Sequence, residues 1–340
     1  MSSPVGISLP PALPQTVGQV SNLPPPPLKP PYSYFGGKAR VAESVWAALG
    51  DVDHYTEPFF GGGAVFLARP HTPRFETIND KHGYVVNFWR AVQSAPEHVA
   101  KWSEQPSFEL DLYATNKELI AGESELVRRL RADRLFYDAR LAGLWVWGKT
   151  RSIGAIWASQ LTRQRPSVQR APSASRFALD MLAARLKHVR ILCGDWARCV
   201  SSPSQLFQGR GTVGVFLDPP YGLVRDDTGD ASRSAVYATD ADAEATDATV
   251  RAVNAWALAN GRTPNLRIVV AGYADEHRNL QRAGWRVQRW KAQGGYANQS
   301  AVSRGRENVH RETLWFSPNC LSSHSRPQPR GRRPDADASD

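Results

Sequence analysis

Residues Val213 to Tyr221 read V-G-V-F-L-D-P-P-Y, and this stretch decides the fold. Its apolar first half, which ends at Leu217, predicts a short buried strand. The tetrad that follows, Asp218-Pro219-Pro220-Tyr221, offers a carboxylate, carbonyl acceptors without neighbouring N–H donors, and an aromatic face. In an open α/β sheet, ligands bind in the crevice beyond the C-terminal ends of the strands. We therefore predict an α/β fold with its functional site at the end of this strand.

The tetrad suits one chemistry well, the methylation of an exocyclic amino group on a nucleobase. The lone pair of adenine N6 is delocalised into the ring, and it becomes localised if Asp218 and the carbonyl of Pro219 each accept one N6–H. This is alignment and electrostatic preorganisation rather than strong base chemistry. Tyr221 offers a flat face for stacking. The alternative is a Pro-Pro turn after a core strand.

Length and composition limit the classes of protein that fit. With 340 residues the chain has room for about two domains, and 41% hydrophobic residues with 11 Trp indicate a globular protein. No apolar run approaches the ~18 residues of a membrane span, and the N-terminus lacks a signal-peptide pattern. Cys193, Cys199 and Cys320 form no CxxC pair. We therefore expect a cytoplasmic protein without disulfides, metal or membrane contact.

Two glycine-rich stretches precede the tetrad. In Tyr34-Phe35-Gly36-Gly37-Lys38 the glycines permit a tight turn and close approach of a ligand, and Lys38 brings a cation that can meet a carboxylate. The second stretch follows a strand with the pattern F-x-G-x-G at Phe59, Gly61 and Gly63. Glycines at such a junction let the backbone approach a bound cofactor. Its spacing matches neither a P-loop nor the dinucleotide fingerprint.

Two aspartates end other predicted strands. Asp80 closes the strand at Thr77-Ile78-Asn79-Asp80, where an acid in a doubly wound fold commonly binds a ribose hydroxyl pair. Its alternative role is to cap the next helix. Asp195 follows the strand Val189–Cys193 and either accepts a hydrogen bond from a cofactor's adenine amino group or caps a helix.

The middle of the chain carries most of the positive charge. Residues 121–190 contain 14 Lys or Arg and 5 Asp or Glu, a net charge of +9 against +10 for the whole chain. Aromatic residues are interleaved, and Lys149, Arg151, Arg163 and Arg165 fall in a stretch that reads as a loop. Such a patch predicts salt-dependent contacts to phosphates, although a solvated basic face is the alternative.

The remaining pattern places the elements and boundaries. Residues 119–147 read as one helix, residues 266–273 as a buried strand, and residues 285–290 with 312–316 as a closing antiparallel pair. We expect five parts: a disordered Pro-rich tail (1–31), a first catalytic part that binds the cofactor (32–99), an insert (100–188), a second catalytic part (189–318) and a disordered tail (319–340).

Taken in order, the four motifs resemble the Dam-like, D12 class DNA adenine-N6 methyltransferases. They are Y-F-G-G-K (34–38), E-P-F-F-G-G-G (57–63), Asn79-Asp80 and the tetrad. The order of the motifs, with the cofactor motifs first, the insert next and the tetrad last, is similar to that of the alpha group. Residues 311–318 resemble phage-borne members of the family. The resemblance covers residues 32–318. It implies a class I methyltransferase fold, Rossmann-like with a mostly parallel seven-stranded sheet, and a helical target-recognition insert that binds DNA.

The resemblance also implies roles by position. The tetrad, Asp218 to Tyr221, would be catalytic, with Tyr221 stacking on a flipped adenine of double-stranded DNA. S-adenosylmethionine would contact Tyr34, Lys38, Phe59, Gly61, Gly63, Asp80, Asp195 and Asp218, with Asp80 on the ribose. Some family members carry Trp where this chain has Tyr34. We expect a monomer or weak dimer in a bacterial or phage-infected cell; the insert does not reveal its target sequence.

Other functions remain open at this stage. The acceptor is RNA adenine, cytosine N4 or a protein glutamine in related enzymes, but Asp218 favours adenine, because cytosine-N4 enzymes usually show Ser there and glutamine enzymes Asn. A DNA-binding protein that lost catalysis is a second class, against which the intact motifs argue. An interaction protein that acts through its Pro-rich tail is a third.

Overall fold

The computed structural model describes residues 28–32, 34, 37–71, 74–106, 108–151, 175–201, 211–221, 224–225, 231–232, 240–290 and 312–322. The helices in these ranges are α1 (Ala42–Leu49), α2 (Ala64–Leu67), α3 (Gly83–Ser94), α4 (Pro96–Ser103), α5 (Glu109–Ala132), α6 (Ala139–Arg151), α7 (Arg176–Leu186), α8 (Asp240–Asn260) and α9 (Arg278–Arg282), with a 3₁₀ turn at Trp196–Cys199. The strands are β1 (His54–Glu57), β2 (Phe75–Asp80), β3 (Val189–Cys193), β4 (Val213–Leu217), β5 (Val224–Arg225), β6 (Ala231–Ser232), β7 (Leu266–Tyr273), β8 (Arg286–Arg289) and β9 (Glu312–Phe316).

Seven strands form one sheet in the order β3-β2-β1-β4-β7-β9-β8. The first five pair in parallel, whereas β9 runs antiparallel to both of its neighbours, β7 and β8. Strands β5 and β6 form a separate two-stranded hairpin. The predicted α/β fold with a mostly parallel seven-stranded sheet is confirmed, and so is its closing antiparallel pair.

Strand β4 shows how the sheet organises two cores. Its five residues are all buried, as a central parallel strand requires. Because side chains alternate along a strand, Val215 and Leu217 pack on the face covered by α8, together with Val253. Phe216 points to the opposite face, where α1 and α3 lie, and joins a larger cluster with Trp89. The C-terminal end of β4 is therefore held rigidly from both sides.

The insert shares the larger core. Leu119 and Leu126 of α5 and Trp145 of α6 belong to the same buried cluster as the α3 residues. Helix α3 is buried on almost every side because the sheet covers one face and the insert helices cover the other. Within the described residues, the insert is thus packed onto the catalytic core.

The single helix predicted over residues 119–147 is wrong, because the chain breaks between α5 and α6. Asp133 accepts a hydrogen bond from the Leu135 amide in a local turn, and Asp138 accepts one from the Leu141 amide at the start of α6. Arg90 of α3 donates to the carbonyls of Leu130, Asp133 and Phe136. A buried arginine from another helix thus satisfies the carbonyls that the break leaves without helical partners.

Both expected tails touch the core at their inner ends. Leu28 packs against the larger cluster, four residues before the expected boundary of ordered structure at Tyr32. At the other end, the Leu321 amide donates to the Ala48 carbonyl at 2.8 Å, past the expected boundary at 318. The rest of the two tails lies outside the described residues. A search of the described helices finds none that is long and apolar enough to cross a membrane.

Candidate active site

The predicted site residues meet at one edge of the sheet. Strands β1, β2 and β4 are parallel neighbours, so their C-terminal ends lie side by side. Asp218 follows β4, the glycine loop follows β1, and Asp80 ends β2. The crevice expected beyond the strand ends therefore contains residues from three separate motifs.

Asp218 and Lys38 form the central ion pair. The Lys38 ammonium lies 3.0 Å from Asp218 Oδ2, and the lysine is only 4% exposed. The Tyr221 hydroxyl donates to Asp218 Oδ1 at 3.3 Å. Burial raises the pKa of Asp218, while Lys38 and the Tyr221 hydrogen bond lower it. Lys38, from the first motif, and Tyr221, from the last motif, therefore both orient the Asp218 carboxylate.

Tyr221 is held by aromatic and cationic contacts. The Lys38 ammonium lies 4.9 Å from the centre of its ring, within the range of a cation–π interaction. The Tyr273 ring packs edge-on at 4.6 Å. Burial raises the pKa of Tyr221 well above its ordinary value, so the hydroxyl stays protonated and able to donate. Pro219 is buried and Pro220 is exposed beside it.

The glycine loop depends on two positive φ angles. Gly61 has φ 49° and Gly63 has φ 70°, both in the left-handed region that favours glycine. A Cβ at Gly61 would lie 2.6 Å from the Tyr34 ring, so this ring packs directly on the loop backbone. The Gly61 carbonyl accepts from the Tyr32 hydroxyl at 2.8 Å and from the Trp89 indole at 3.1 Å. The loop is therefore held from outside by aromatic side chains.

Asp80 ties the glycine loop to the next strand. Its Oδ2 accepts from the Gly61 amide and its Oδ1 from the His82 amide, both at 2.8 Å. Burial raises the pKa of Asp80 and these backbone hydrogen bonds lower it. The alternative role, a cap on α3, falls to another residue, because His82 Nδ1 accepts from the Tyr84 amide.

Phe59 and Asp195 both lie next to Trp196, where the 3₁₀ turn begins. The Phe59 ring stacks on Trp196 with ring centres 6.0 Å apart. Asp195 is exposed, and its Oδ1 accepts from the Ala197 amide at 2.9 Å, which caps the 3₁₀ turn. The capping alternative for Asp195 is thus present in the structure, and its contact with a cofactor stays a prediction.

The basic residues predicted to bind DNA do not share one environment. Lys149 and Arg151 lie in the last turn of α6, so the prediction of a loop there is wrong. Lys149 is half-buried with its ammonium 5.9 Å from the Tyr34 ring centre, and burial lowers its pKa to about 8. This lysine therefore points towards the glycine loop rather than along a solvated basic face. Arg163 and Arg165 lie outside the described residues.

Sequence reasoning missed one acidic residue of the site, Glu312. It begins β9, and its Oε2 lies 3.9 Å from the Lys38 ammonium. The signal was a single charged residue in the otherwise apolar strand, next to a polar Thr. A second buried acid, Glu57, was seen only as part of a motif. Its Oε2 accepts from the Tyr55 hydroxyl at 2.7 Å, which makes it part of the core beneath the loop.

The sheet order with one reversed strand, together with a glycine loop after β1, defines the class I methyltransferase fold. The chain belongs to the D12 class N6 adenine-specific DNA methyltransferases, whose family model matches residues 34–253. The family predicted from the four motifs is therefore confirmed. Neither this match nor the relative below bears on the expected likeness to phage-borne members.

A curated relative supports the same assignment. The Type II methyltransferase M1.LlaDCHI of Lactococcus lactis subsp. cremoris is 22% identical over 203 residues. The match covers 57% of this chain and 66% of the relative, slightly less than two thirds of its length.

Proposed function

We propose that this chain is a site-specific DNA methyltransferase that moves a methyl group from S-adenosylmethionine to N6 of an adenine in double-stranded DNA. The observation that carries the proposal is the convergence of Asp218, Tyr221 and Lys38 at the C-terminal end of β4. Family membership supports the acceptor, since the matched family is specific for adenine N6.

The residues at the strand ends fit S-adenosylmethionine. Lys38 offers a cation for the carboxylate of the methionine end, and the positive φ angles of Gly61 and Gly63 let the loop backbone turn at the strand end. Asp80 accepts backbone hydrogen bonds from Gly61, His82 and Lys81, which leaves about one of the roughly four lone-pair sites of its carboxylate for a ribose hydroxyl. Asp195 and the Phe59 ring are suited to an adenine base. Bound there, the cofactor would supply an electrophilic methyl group on a sulfonium.

The chain's own residues prepare the adenine amine. Asp218 and the Pro219 carbonyl accept the two N6–H groups, which localises the nitrogen lone pair and aims it. Tyr221 stacks on the base, which must leave the duplex to reach the site at a cost of a few kcal/mol. The amine gives up one proton when its new C–N bond forms. Asp218 is placed to accept that proton, and burial raises its pKa in the direction that helps.

The insert would supply the contacts to DNA. Lys149, Arg151, Arg163 and Arg165 are four of the 14 Lys and Arg residues in 121–190, and we propose that they contact phosphates around the target site. Of the four, Lys149 is also close enough to Tyr34 to link DNA binding with the cofactor loop.

Purified protein tests the proposal directly. Incubation with DNA and S-adenosylmethionine labelled in the methyl group, followed by mass spectrometry of the nucleosides, should yield N6-methyladenine. Asp218→Asn should lower the rate at least roughly 100-fold, because one preorganised acceptor is replaced by an amide. The affinity for DNA should stay unchanged.

The control for this experiment is Asp180→Asn, which removes an exposed carboxylate from α7. Its rate should equal that of the wild type. Methyl groups found on cytosine, on RNA or on protein glutamine would contradict the proposal that adenine N6 in DNA is the acceptor. Full turnover by Asp218→Asn would contradict the role of the carboxylate.

A further inference from the structure

Glu312 enters the site from a part of the chain that the family match does not reach. It lies at the start of β9, directly opposite Tyr273 of β7, whereas the match ends at residue 253. The residue is 9% exposed, and its Oε2 lies 3.9 Å from the Lys38 ammonium. The closing antiparallel strand thus carries an acid into the space around Lys38 and Asp218.

The Oε2 atom of Glu312 needs a hydrogen-bond donor. It is buried, and no donor reaches it among the residues that the structure describes. Lys38 is too distant for a hydrogen bond at 3.9 Å and is closer to Asp218, at 3.0 Å. Tyr221 also hydrogen-bonds this carboxyl group, but Oε2 still has no donor. A buried acceptor without a donor is costly, which indicates that something absent from the free protein completes it.

The charges around Oε2 indicate what kind of donor fits. Lys38 lies between two carboxylates, those of Asp218 and Glu312, so one cation faces two anions. A second cation that carries N–H groups would pair with the Glu312 carboxylate and supply the missing hydrogen bond. The methionine end of S-adenosylmethionine has one such group, the α-ammonium, next to the carboxylate assigned to Lys38.

We propose that Glu312 is a cofactor-binding residue that accepts a hydrogen bond from the α-ammonium of S-adenosylmethionine. This inference rests on the proposed function for the identity of the cofactor. Lys38 and Glu312 together would recognise the zwitterionic end of the ligand, one group for each charge. The family match alone would not have shown this, because β9 lies beyond it.

Direct binding without DNA tests the proposal. The ligands are S-adenosylhomocysteine, which has the amino-acid end, and 5′-methylthioadenosine, which lacks it; both carry an uncharged sulfur. Calorimetry should show that Glu312→Gln lowers the affinity for S-adenosylhomocysteine roughly 10- to 100-fold, which is the contribution of a charge-assisted hydrogen bond. The affinity of Glu312→Gln for 5′-methylthioadenosine should stay within about twofold of the wild-type value, because this ligand has no α-ammonium to lose a hydrogen bond. Glu125→Gln, an exposed site on α5, should change neither.

A second ligand pair keeps the test independent of how the variant folds. On the wild type, S-adenosylhomocysteine without its α-amino group should bind at least roughly tenfold weaker than the intact ligand. On Glu312→Gln the two should bind alike. An equal affinity on the wild type, or a parallel loss of both S-adenosylhomocysteine and 5′-methylthioadenosine in the variant, would overturn the assignment.

The outcome also separates this proposal from the proposed function. Wild-type protein that binds S-adenosylhomocysteine as expected but leaves adenine unmethylated would overturn the methylation reaction and leave Glu312 supported. Wild-type protein that binds neither ligand would overturn both.

Discussion

Lys38 shows how much of the site depends on one side chain. Its ammonium contacts the carboxylate that follows β4, faces the Tyr221 ring and lies within 3.9 Å of Glu312. It is nearly fully buried, so these anions compensate the cost of removing its charge from water. The sequence predicted that Lys38 would meet a carboxylate, and the fold determines which ones. A residue near the N-terminus therefore organises groups that come from residues 218 to 312.

Tyr221 allows a test of the ring against the hydroxyl. Tyr221→Ala should lower methyl transfer roughly 10- to 100-fold, because it removes the stacking surface for the base. Tyr221→Phe should cost less than Tyr221→Ala, since it keeps the ring over Lys38 and loses only the hydroxyl contacts with Asp218, at a long 3.3 Å, and with Glu312. The measurement is kcat on a DNA substrate with saturating cofactor. Equal losses in the two variants would show that stacking is not the role of this residue.

His277 provides a prediction about stability and pH. It is fully buried, and its Nδ1 pairs with Asn254 Oδ1 at 2.8 Å. Burial lowers its pKa from 6.5 to about 3. Between those values the unfolded chain binds a proton that the native protein does not. The free energy of unfolding from this group therefore falls on acidification, by about 1.4 kcal/mol per pH unit.

The variant His277→Asn isolates that contribution, because asparagine keeps a donor towards Asn254 and does not titrate. Urea denaturation at pH 6.5 and pH 5 gives the free energy of unfolding of both proteins. The wild-type value minus the variant value should be about 2 kcal/mol smaller at pH 5 than at pH 6.5. The carboxylates titrate equally in both proteins and cancel. A difference that is constant with pH would mean that His277 accepts a proton in the native state.

At the scale of elements, the glycine loop was predictable and its supports were not. The F-x-G-x-G pattern indicates a turn that only glycine tolerates, and the positive φ angles of Gly61 and Gly63 agree with it. The contacts of Asp80 with that loop depend on the register of β1 against β2. No local pattern contains this register, which is why the sequence left the role of Asp80 open.

Gly61→Ala should weaken cofactor binding at least roughly tenfold, because the new Cβ would strain the backbone and meet the Tyr34 ring at 2.6 Å. Gly122→Ala in α5 is the matched control. Its Cβ would meet only the Tyr84 hydroxyl at 3.8 Å, and alanine favours the helix by up to about 1 kcal/mol. Calorimetric titration with S-adenosylhomocysteine measures both. Unchanged affinity in Gly61→Ala would show that the loop conformation is not needed for binding.

The break between α5 and α6 illustrates what sequence pattern cannot reveal. Apolar spacing continues across it, so periodicity alone predicts one long helix. Arg90 of α3 stabilises the break: it donates to one carbonyl in the last turn of α5, to two carbonyls of the connection and to the Ile191 carbonyl of β3. These tertiary interactions join residues 40 to 101 positions apart, and they override local preference.

Arg90→Met should therefore lower the free energy of unfolding by about 3 kcal/mol or more, since several buried carbonyls lose their donors. Arg128→Met is the control, because its ion pair with Glu125 is exposed and screened by solvent. Thermal or urea denaturation compares the two variants with the wild type. Similar stability for both would contradict the role given to Arg90.

At the scale of the whole molecule, a net charge of +9 distinguishes residues 121–190 from the rest of the chain. Packing does not separate them, because α5 and α6 contribute to the same buried cluster as α3. The sequence predicted an insert over residues 100–188, but neither this shared core nor the position of Lys149 beside Tyr34. Both arise from how α6 packs on α3, which only the folded chain defines.

Neutralising Arg163 and Arg165 together should flatten the salt dependence of DNA binding. Two lost phosphate contacts reduce the slope of log affinity against log salt by roughly 1.8. Arg262→Gln is the control, since it precedes β7 at the opposite edge of the sheet from the site. Fluorescence anisotropy at several salt concentrations gives the slopes. An unchanged slope in the double variant would mean that these arginines belong to a solvated face.

The most direct test of the central claim is single-molecule sequencing with modified-base detection. The DNA comes from a methylation-deficient host that expresses either this chain or its Asp218→Asn variant. We predict N6-methyladenine at one recurring short sequence with the wild type, which would also reveal the target site, and a much lower level at that sequence with the variant. DNA without N6-methyladenine, from cells whose expressed protein binds S-adenosylmethionine, would contradict the proposed function.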